Sequence, residues 1–245
     1  MRIPRLHVDA PLGPDACIGL PAHTAAHAVR VLRLRPGDAV VLFNGDGNEY
    51  PARLIAASAR EATAHIETRV AAATESPLRI TLAQALARGE KMDWIVQKAV
   101  ELGIAAVVPL VTERSEVKLD GQRTAKRIEH WRAVAIAACE QSGRAVVPVI
   151  EAPRALDRWL ATLEHADNSA RLVLHPGDGL RPRALQPAPR AVTLAVGPEG
   201  GFGERDLAVL REAGFVNLSL GPRILRTETA GLAAIAALQA IHGDL

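Results

Sequence analysis

The 245-residue chain carries a net charge of +2 and is 49% hydrophobic, so it can form one or two domains with a sizeable core. It has no run of about 18 apolar residues, and its start, Met1-Arg2-Ile3, lacks the apolar core of a signal peptide, so we expect no membrane span and a cytoplasmic location. Cys17 and Cys139 are far apart in sequence, which argues against a disulfide framework or a zinc site, and we predict no metal.

Residues 1–72 have the pattern of a small β-barrel. An apolar run predicts a strand at 39–43, and the following sequence NGDGN supplies the residues that a hairpin turn needs at positive φ. Further strands are predicted at 49–56 and 61–70. Arginines outnumber acidic residues before position 36, which suits contacts with phosphate groups. A solvated basic surface is the alternative.

From residue 73 onward, strands and helices alternate, which predicts an α/β domain with a mostly parallel sheet. The small residues at 71–77, ending in Pro77, predict the linker before it. Strands are predicted at 79–85, 104–111, 146–150, 171–174, 191–196 and 215–220, and helices at 90–102, 122–141, 154–163, 204–213 and 227–241.

Two loops containing glycine and proline follow the last two predicted strands. The first reads VGPEGGFG at 196–203, and the second reads LGPRILR at 220–226. We expect both loops at the carboxyl ends of adjacent strands, where open α/β sheets bind ligands. Glycine permits close backbone approach and proline stiffens a loop, which favours a flat, largely uncharged ligand held by main-chain atoms.

Two common nucleotide motifs do not match the first loop. Glu199 stands two positions after Gly197, where its carboxylate would repel a dinucleotide pyrophosphate. Gly201 is followed by Phe202 and Gly203 rather than by the Lys-Ser/Thr of a P-loop. Plain tight turns are the alternative. Arg223 and the polar residues at 226–229 argue against plain turns, because turn geometry does not require them.

The two loops resemble the signature loops of the SPOUT methyltransferases, most closely those of the family that methylates N3 of a uridine in 16S ribosomal RNA. The likeness continues in VLRL at 31–34, FNG at 43–45, KMDW at 91–94, QKA at 97–99, ELG at 101–103, TERS at 112–115, EQSGR at 140–144 and LHP at 174–176. It spans nearly the whole chain. The resemblance implies a PUA-like β-barrel that binds RNA at 1–72 and a SPOUT domain with a deep trefoil knot at 73–245.

The resemblance also implies S-adenosylmethionine as the methyl donor, bound by loops after three predicted strands. The implied cofactor-binding residues are Leu174, His175, Val196, Gly197, Pro198, Glu199, Gly200, Gly201, Leu220, Gly221, Ile224, Leu225 and Thr229.

Uridine N3 carries a proton at neutral pH, so its methylation needs a base or a cation that stabilises the resulting anion. We predict that Arg226 supplies the positive charge and that Glu199 or Glu228 accepts the proton. For either carboxylate, an ion pair with an arginine of the loop is the alternative reading.

The implied partner is 16S rRNA within the small ribosomal subunit, bound by a homodimer. The predicted RNA-binding residues are Arg2, Arg5, Arg30, Arg33, Asn44, Lys98, Arg114, Lys118 and Arg144. The alanine-rich helix near the carboxyl end is compatible with packing on a second copy or on its own sheet. Two other functions stay open: a SPOUT enzyme acting on transfer RNA or on a ribose 2′-hydroxyl, and a non-catalytic RNA-binding protein.

Overall fold

The structure, a computed structural model, describes residues 3–58, 61–116, 121–164 and 166–245. Its contacts divide the chain into two compact units. The first unit comprises the chain up to Glu75 together with Ile136–Val147, and the second comprises Ser76–Ala135 and Pro148–Leu245. Nothing in the sequence pattern indicated that residues 136–147 return to the first unit.

The first unit contains six strands within the described residues: β1 (Arg5–His7), β2 (Cys17–Gly19), β3 (Ala39–Phe43), β4 (Asn48–Ala57), β5 (Ala62–Ile66) and β6 (Val70–Ala71). They lie in the order β1-β3-β4-β5-β2, and β6 pairs with the start of β4. Only β1 and β3 pair in parallel among these strands. Their buried side chains, with those of helix α1 (Ala22–Ala26), form an apolar core around Leu6, Leu42, Tyr50 and Ile66.

The predicted strand at 61–70 is wrong as a single element. Pairing with β4 ends after Ile66, and the chain resumes pairing only at Val70–Ala71, which faces Asn48 and Glu49 at the other end of β4. The three-residue strands β1 and β2 were not predicted, because they are too short to show an alternating pattern.

The second unit contains seven strands within the described residues: β7 (Arg79–Ala85), β8 (Ala106–Val111), β9 (Val149–Ile150), β10 (Arg154–Ala155), β11 (Ser169–Leu174), β12 (Ala191–Val196) and β13 (Val216–Asn217). Their order is β10-β8-β7-β12-β11-β13, with β9 also on β8, and every pair is parallel. Leu82 and Leu194, on the central strands, are fully buried, which explains the apolar runs at 79–85 and 191–196. The accompanying helices are α2 (Lys91–Glu101), α3 (Gly121–Ser142), α4 (Leu156–Leu160), α5 (Glu204–Glu212) and α6 (Thr227–His242), and α3 belongs to the second unit only up to Ala135.

The structure corrects two expectations for this sheet. The predicted helix at 154–163 begins later, because Arg154 and Ala155 pair with Leu110 and Val111 of β8 as a short strand. The strands before the two signature loops are not adjacent, because β11 pairs with β12 on one side and with β13 on the other. The loop after β11 therefore leaves the sheet between the two signature loops.

Within the described ranges, no helix combines the length and apolarity that a bilayer crossing needs. The same residues include no cluster of three or more histidine, cysteine or acidic side chains suited to a metal ion. Neither cysteine forms a disulfide: Cys17 is exposed, and burial raises the pKa of the Cys139 thiol to about 12.

Candidate active site

Three loops leave the carboxyl ends of β12, β11 and β13 at one edge of the second unit's sheet and enclose two neighbouring cavities. The smaller cavity, of about 420 Å³, lies between the loops after β11 and β13. The larger, of about 570 Å³, lies along the loop after β12 and the start of α6. Leu174, His175, Ile224 and Leu225 line both, so the cavities share a wall.

Every predicted cofactor-binding residue except Thr229 lines one of these cavities. Gly197, Pro198 and the neighbouring residues of that loop line the larger cavity, and Leu220 and Gly221 line the smaller. Thr229 is exposed on the first turn of α6 and faces neither. The three loops therefore meet as the sequence predicts, although they follow strands that are not all neighbours.

Three glycines, Gly197, Gly200 and Gly201, line the larger cavity, so main-chain atoms form that part of its wall. A Cβ atom at Gly197 would lie 2.9 Å from the backbone nitrogen of Phe202, so no side chain fits at this position. The loop folds back on itself, because the N–H of Gly201 donates to the carbonyl of Pro198 at 2.9 Å. Gly221, which lines the smaller cavity, has φ 130°, a conformation that favours glycine. These features suit a flat ligand held close to the backbone.

A buried polar chain joins this loop to α6 and β7. The hydroxyl of Thr227 donates to the carbonyl of Gly197 at 2.6 Å and accepts from Nε2 of Gln84 at 3.0 Å. Gln84 is fully buried, and its Nε2 also donates to the carbonyl of Ala85 at 3.0 Å. Sequence reasoning missed this connection; its one signal is a glutamine inside the apolar strand at 79–85.

The three predicted catalytic residues, Arg226, Glu199 and Glu228, all line the larger cavity. Arg226 is exposed, and its guanidinium has no hydrogen bond or ion pair with any residue that the structure describes. Each carboxylate instead lies near Lys91, whose Nζ is 3.0 Å from Oε1 of Glu199 and 3.5 Å from Oε2 of Glu228. The pairing partner is thus a lysine rather than the arginine that sequence reasoning considered.

The two charges of the Lys91–Glu199 pair stabilise each other. The hydrogen bond to Glu199 raises the pKa of Lys91. Burial acts to raise the pKa of Glu199, but the N–H of Arg88, at 3.0 Å, and the Lys91 ammonium outweigh burial and lower it. Glu199 is therefore ionised at neutral pH and accepts two hydrogen bonds on one oxygen, Oε1. Lys91 was noted in the sequence only as part of the KMDW motif.

The predicted RNA-binding residues of the second unit differ in their surroundings. The guanidinium of Arg114 donates to the carbonyl of Gly200 at 2.8 Å and lines the larger cavity. Lys98 pairs with Glu101 at 2.8 Å and lies over the ring of Trp94. Lys118 lies outside the described residues.

In the first unit, Arg30 and Arg33 are exposed, and Asn44 donates to the carbonyl of Ala10 at 3.1 Å. Arg2 lies outside the described residues. The side chains of Arg5 and Arg144 are only 7% and 4% exposed, and they pair with Glu49 and Glu75. Their burial argues against direct phosphate contacts, so we do not retain these two arginines in the RNA surface.

The fold and the site define an RNA methyltransferase. Residues 74–239 match the family model of the RNA methyltransferase domain, and residues 20–67 match that of the RNA methyltransferase PUA domain. The chain belongs to this family, which confirms the resemblance seen in the sequence, the α/β methyltransferase fold and the PUA-like amino-terminal part.

Several relatives share the description ribosomal RNA small subunit methyltransferase E. The protein of this name from Bacillus subtilis is 32% identical, over 89% of this chain and 89% of its own length. The one from Mycobacterium tuberculosis is 36% identical, over 86% of this chain and 82% of its own length.

Two solved structures match over the full length of both chains. The ribosomal RNA small subunit methyltransferase E from Neisseria gonorrhoeae, bound to S-adenosyl methionine, is 37% identical with a TM-score of 0.92. A Legionella pneumophila protein in complex with the cofactor SAM is 38% identical with a TM-score of 0.95.

Proposed function

We propose that the chain is an S-adenosylmethionine-dependent methyltransferase that methylates N3 of a uridine in the 16S rRNA of the small ribosomal subunit. One observation carries the proposal. The loops after β11, β12 and β13 form two adjoining cavities lined in part by glycines, in a chain that matches a donor-bound ribosomal RNA methyltransferase from end to end.

The residues of the two cavities fit the donor. The glycine at 197 lets the loop fold back on itself, and main-chain groups of Gly197, Gly200, Leu220 and Leu225 would hold the adenosine and amino-acid parts. When bound, S-adenosylmethionine supplies a methyl group on a positively charged sulfur, which keeps the electron pair of the C–S bond when N3 takes the methyl group. The loops contribute mainly orientation and proximity.

The charged residues of the larger cavity fit the acceptor. The unpaired guanidinium of Arg226 would stabilise negative charge on the uracil carbonyls after N3 loses its proton, and a carboxylate of the cavity wall would receive that proton. N3 lies on the Watson–Crick edge, so the target base must be unpaired or extruded, at a cost of a few kcal/mol.

We also propose the wider organisation that the family resemblance implies. Residues 1–72 would bind RNA, with the exposed Arg30 and Arg33 contacting phosphate groups. Residues 73–245 would carry the trefoil knot and the methyltransferase activity, and the protein would act in the cytoplasm as a homodimer. The half-exposed alanines of α6 support close packing against a second copy.

The direct test is product identification. The protein is incubated with labelled S-adenosylmethionine and either unmethylated small subunits, naked 16S rRNA or transfer RNA, and the RNA is digested to nucleosides. We expect N3-methyluridine from ribosomal RNA. A ribose-methylated nucleoside, or label in transfer RNA alone, would instead support another SPOUT activity. Absence of both donor binding and transfer would identify a non-catalytic RNA-binding protein.

A further inference from the structure

Lys91 occupies a position that helix stability does not explain. It is the first residue of α2, where the helix dipole favours an acidic side chain, and its side chain lines the larger cavity. The preceding residue, Glu90, makes no side-chain hydrogen bond that would cap the helix. A cation at this position therefore points to a function in the cavity.

The two carboxylates beside Lys91 have different surroundings. Oε1 of Glu199 accepts hydrogen bonds from the Lys91 ammonium and from the N–H of Arg88, each with a donor–acceptor distance of 3.0 Å. Oε2 of Glu228 is buried and accepts no hydrogen bond from the described residues, although it lies 3.5 Å from Nζ of Lys91. That distance is longer than the roughly 2.7–2.9 Å of a charge-assisted hydrogen bond.

Oε2 of Glu228 is closed to solvent, so its negative charge depends on the Lys91 ammonium 3.5 Å away. The N3–H group of a uridine that enters the cavity would donate to the other oxygen of Glu228, Oε1. Glu199 already has the Lys91 ammonium and the Arg88 N–H on one oxygen, and both stabilise its charged form, whereas Glu228 has the longer contact with Lys91. Glu228 is therefore the carboxylate better suited to take up a proton.

We propose that Lys91 is a positioning residue of the methyl transfer: anchored by Glu199, its ammonium orients the Glu228 carboxylate to accept the N3 proton of uridine. This inference rests on the proposed function. In the proton-transfer step the N3–H bond breaks, the proton passes to an oxygen of Glu228, and the electron pair stays on N3, where it forms the bond to the methyl group. Lys91 keeps its own protons throughout.

The test compares the kcat of Lys91→Ala, Lys91→Arg and Glu228→Gln with that of the wild type, at saturating concentrations of S-adenosylmethionine and of small subunits. We expect Lys91→Ala to lower kcat by about 10- to 100-fold. This is less than the roughly 100- to 10,000-fold that general acid–base catalysis contributes, because the Glu228 carboxylate is still present. Its Kd for S-adenosylmethionine, measured by calorimetry, should change by less than about twofold, or about 0.4 kcal/mol. Lys91→Arg should retain more activity than Lys91→Ala, because it restores the positive charge.

Chemical rescue separates positioning from a merely structural role. Added ethylammonium should restore part of the activity of Lys91→Ala, because the small cation can occupy the space left between Glu199 and Glu228. It should not restore Glu228→Gln, which lacks the proton acceptor. Lys126→Ala removes an exposed lysine of α3, outside the cavities, and serves as the matched control with unchanged kcat.

Three results would overturn the inference alone, with an active wild type: an unchanged kcat in Lys91→Ala, a loss of donor affinity as large as the loss of kcat, or equal rescue of Glu228→Gln by the amine. A wild-type chain that binds the donor and methylates no ribosomal RNA would overturn the proposed function, and this inference with it.

Discussion

At the scale of single residues, Arg226 offers the simplest variant, because its guanidinium lines the larger cavity without a partner among the described residues. Removing it leaves no buried charge unpaired. We expect Arg226→Ala to lower single-turnover methyl transfer by about 100- to 1000-fold, as loss of one group that stabilises a developing anion does elsewhere. The Kd for S-adenosylmethionine should be unchanged.

Arg211→Ala, which removes an exposed arginine of α5, is the control for a general loss of positive charge. If Arg226→Ala lost donor affinity and turnover to the same extent, Arg226 would be a donor-binding or structural residue.

The glycines of the two loops were visible in the sequence, and they predicted that backbone segments approach closely there. It could not predict the partner of Glu199. Lys91 is 108 residues away along the chain, and only the pairing of β7 with β12 brings the two side chains to the same edge of the sheet. Residue types are therefore visible in a sequence, whereas ion pairs across a sheet are not.

At the scale of secondary-structure elements, the start of α6 is held by the hydroxyl of Thr227. Thr227→Val would leave both the carbonyl of Gly197 and one N–H of Gln84 without this partner in a buried site. We expect a loss of about 1–3 kcal/mol in the free energy of unfolding, measured by urea denaturation, and weaker donor binding because the Gly197 loop loses its anchor.

Thr227→Ser is the matched variant, since it keeps the hydroxyl and removes only the methyl group. It should retain most of the stability and the donor affinity. Equal destabilisation by valine and serine would show that packing of the methyl group, rather than the hydrogen-bond chain, holds the helix.

Strands with a continuous buried apolar run were predicted at their observed bounds, as at 79–85 and 191–196. The two-residue strand β10 was not predicted, because it is defined by its pairing with β8, and β13 was predicted too long, at 215–220. Pairing on both sides of β11 likewise has no counterpart in the local pattern, which is why the order of the strands before the loops was wrong.

At the scale of the whole molecule, RNA binding can be tested at Arg33. This arginine is exposed and has φ 57°, a left-handed conformation that costs a residue such as arginine about 1–2 kcal/mol. We expect Arg33→Gly to leave the free energy of unfolding equal or slightly higher, since relief of that strain offsets the greater freedom of glycine in the unfolded chain.

The same variant should bind 16S rRNA more weakly, and the slope of log affinity against log salt should fall by about one ion for the lost phosphate contact. Asn168→Gly, at φ 55° in the second unit, is the control for the backbone change without loss of charge. An unchanged slope would remove Arg33 from the RNA surface.

The first unit is assembled from two separate stretches of chain. The N–H of His7 donates to Glu140 at 2.9 Å, and the guanidinium of Arg144 donates to Glu75 at 3.0 Å, so residues from the later stretch complete the earlier one. A gene cut after codon 75 would thus yield an amino-terminal fragment lacking both partners. Recombination between related genes can exchange the first unit intact only if both of its stretches are inherited together.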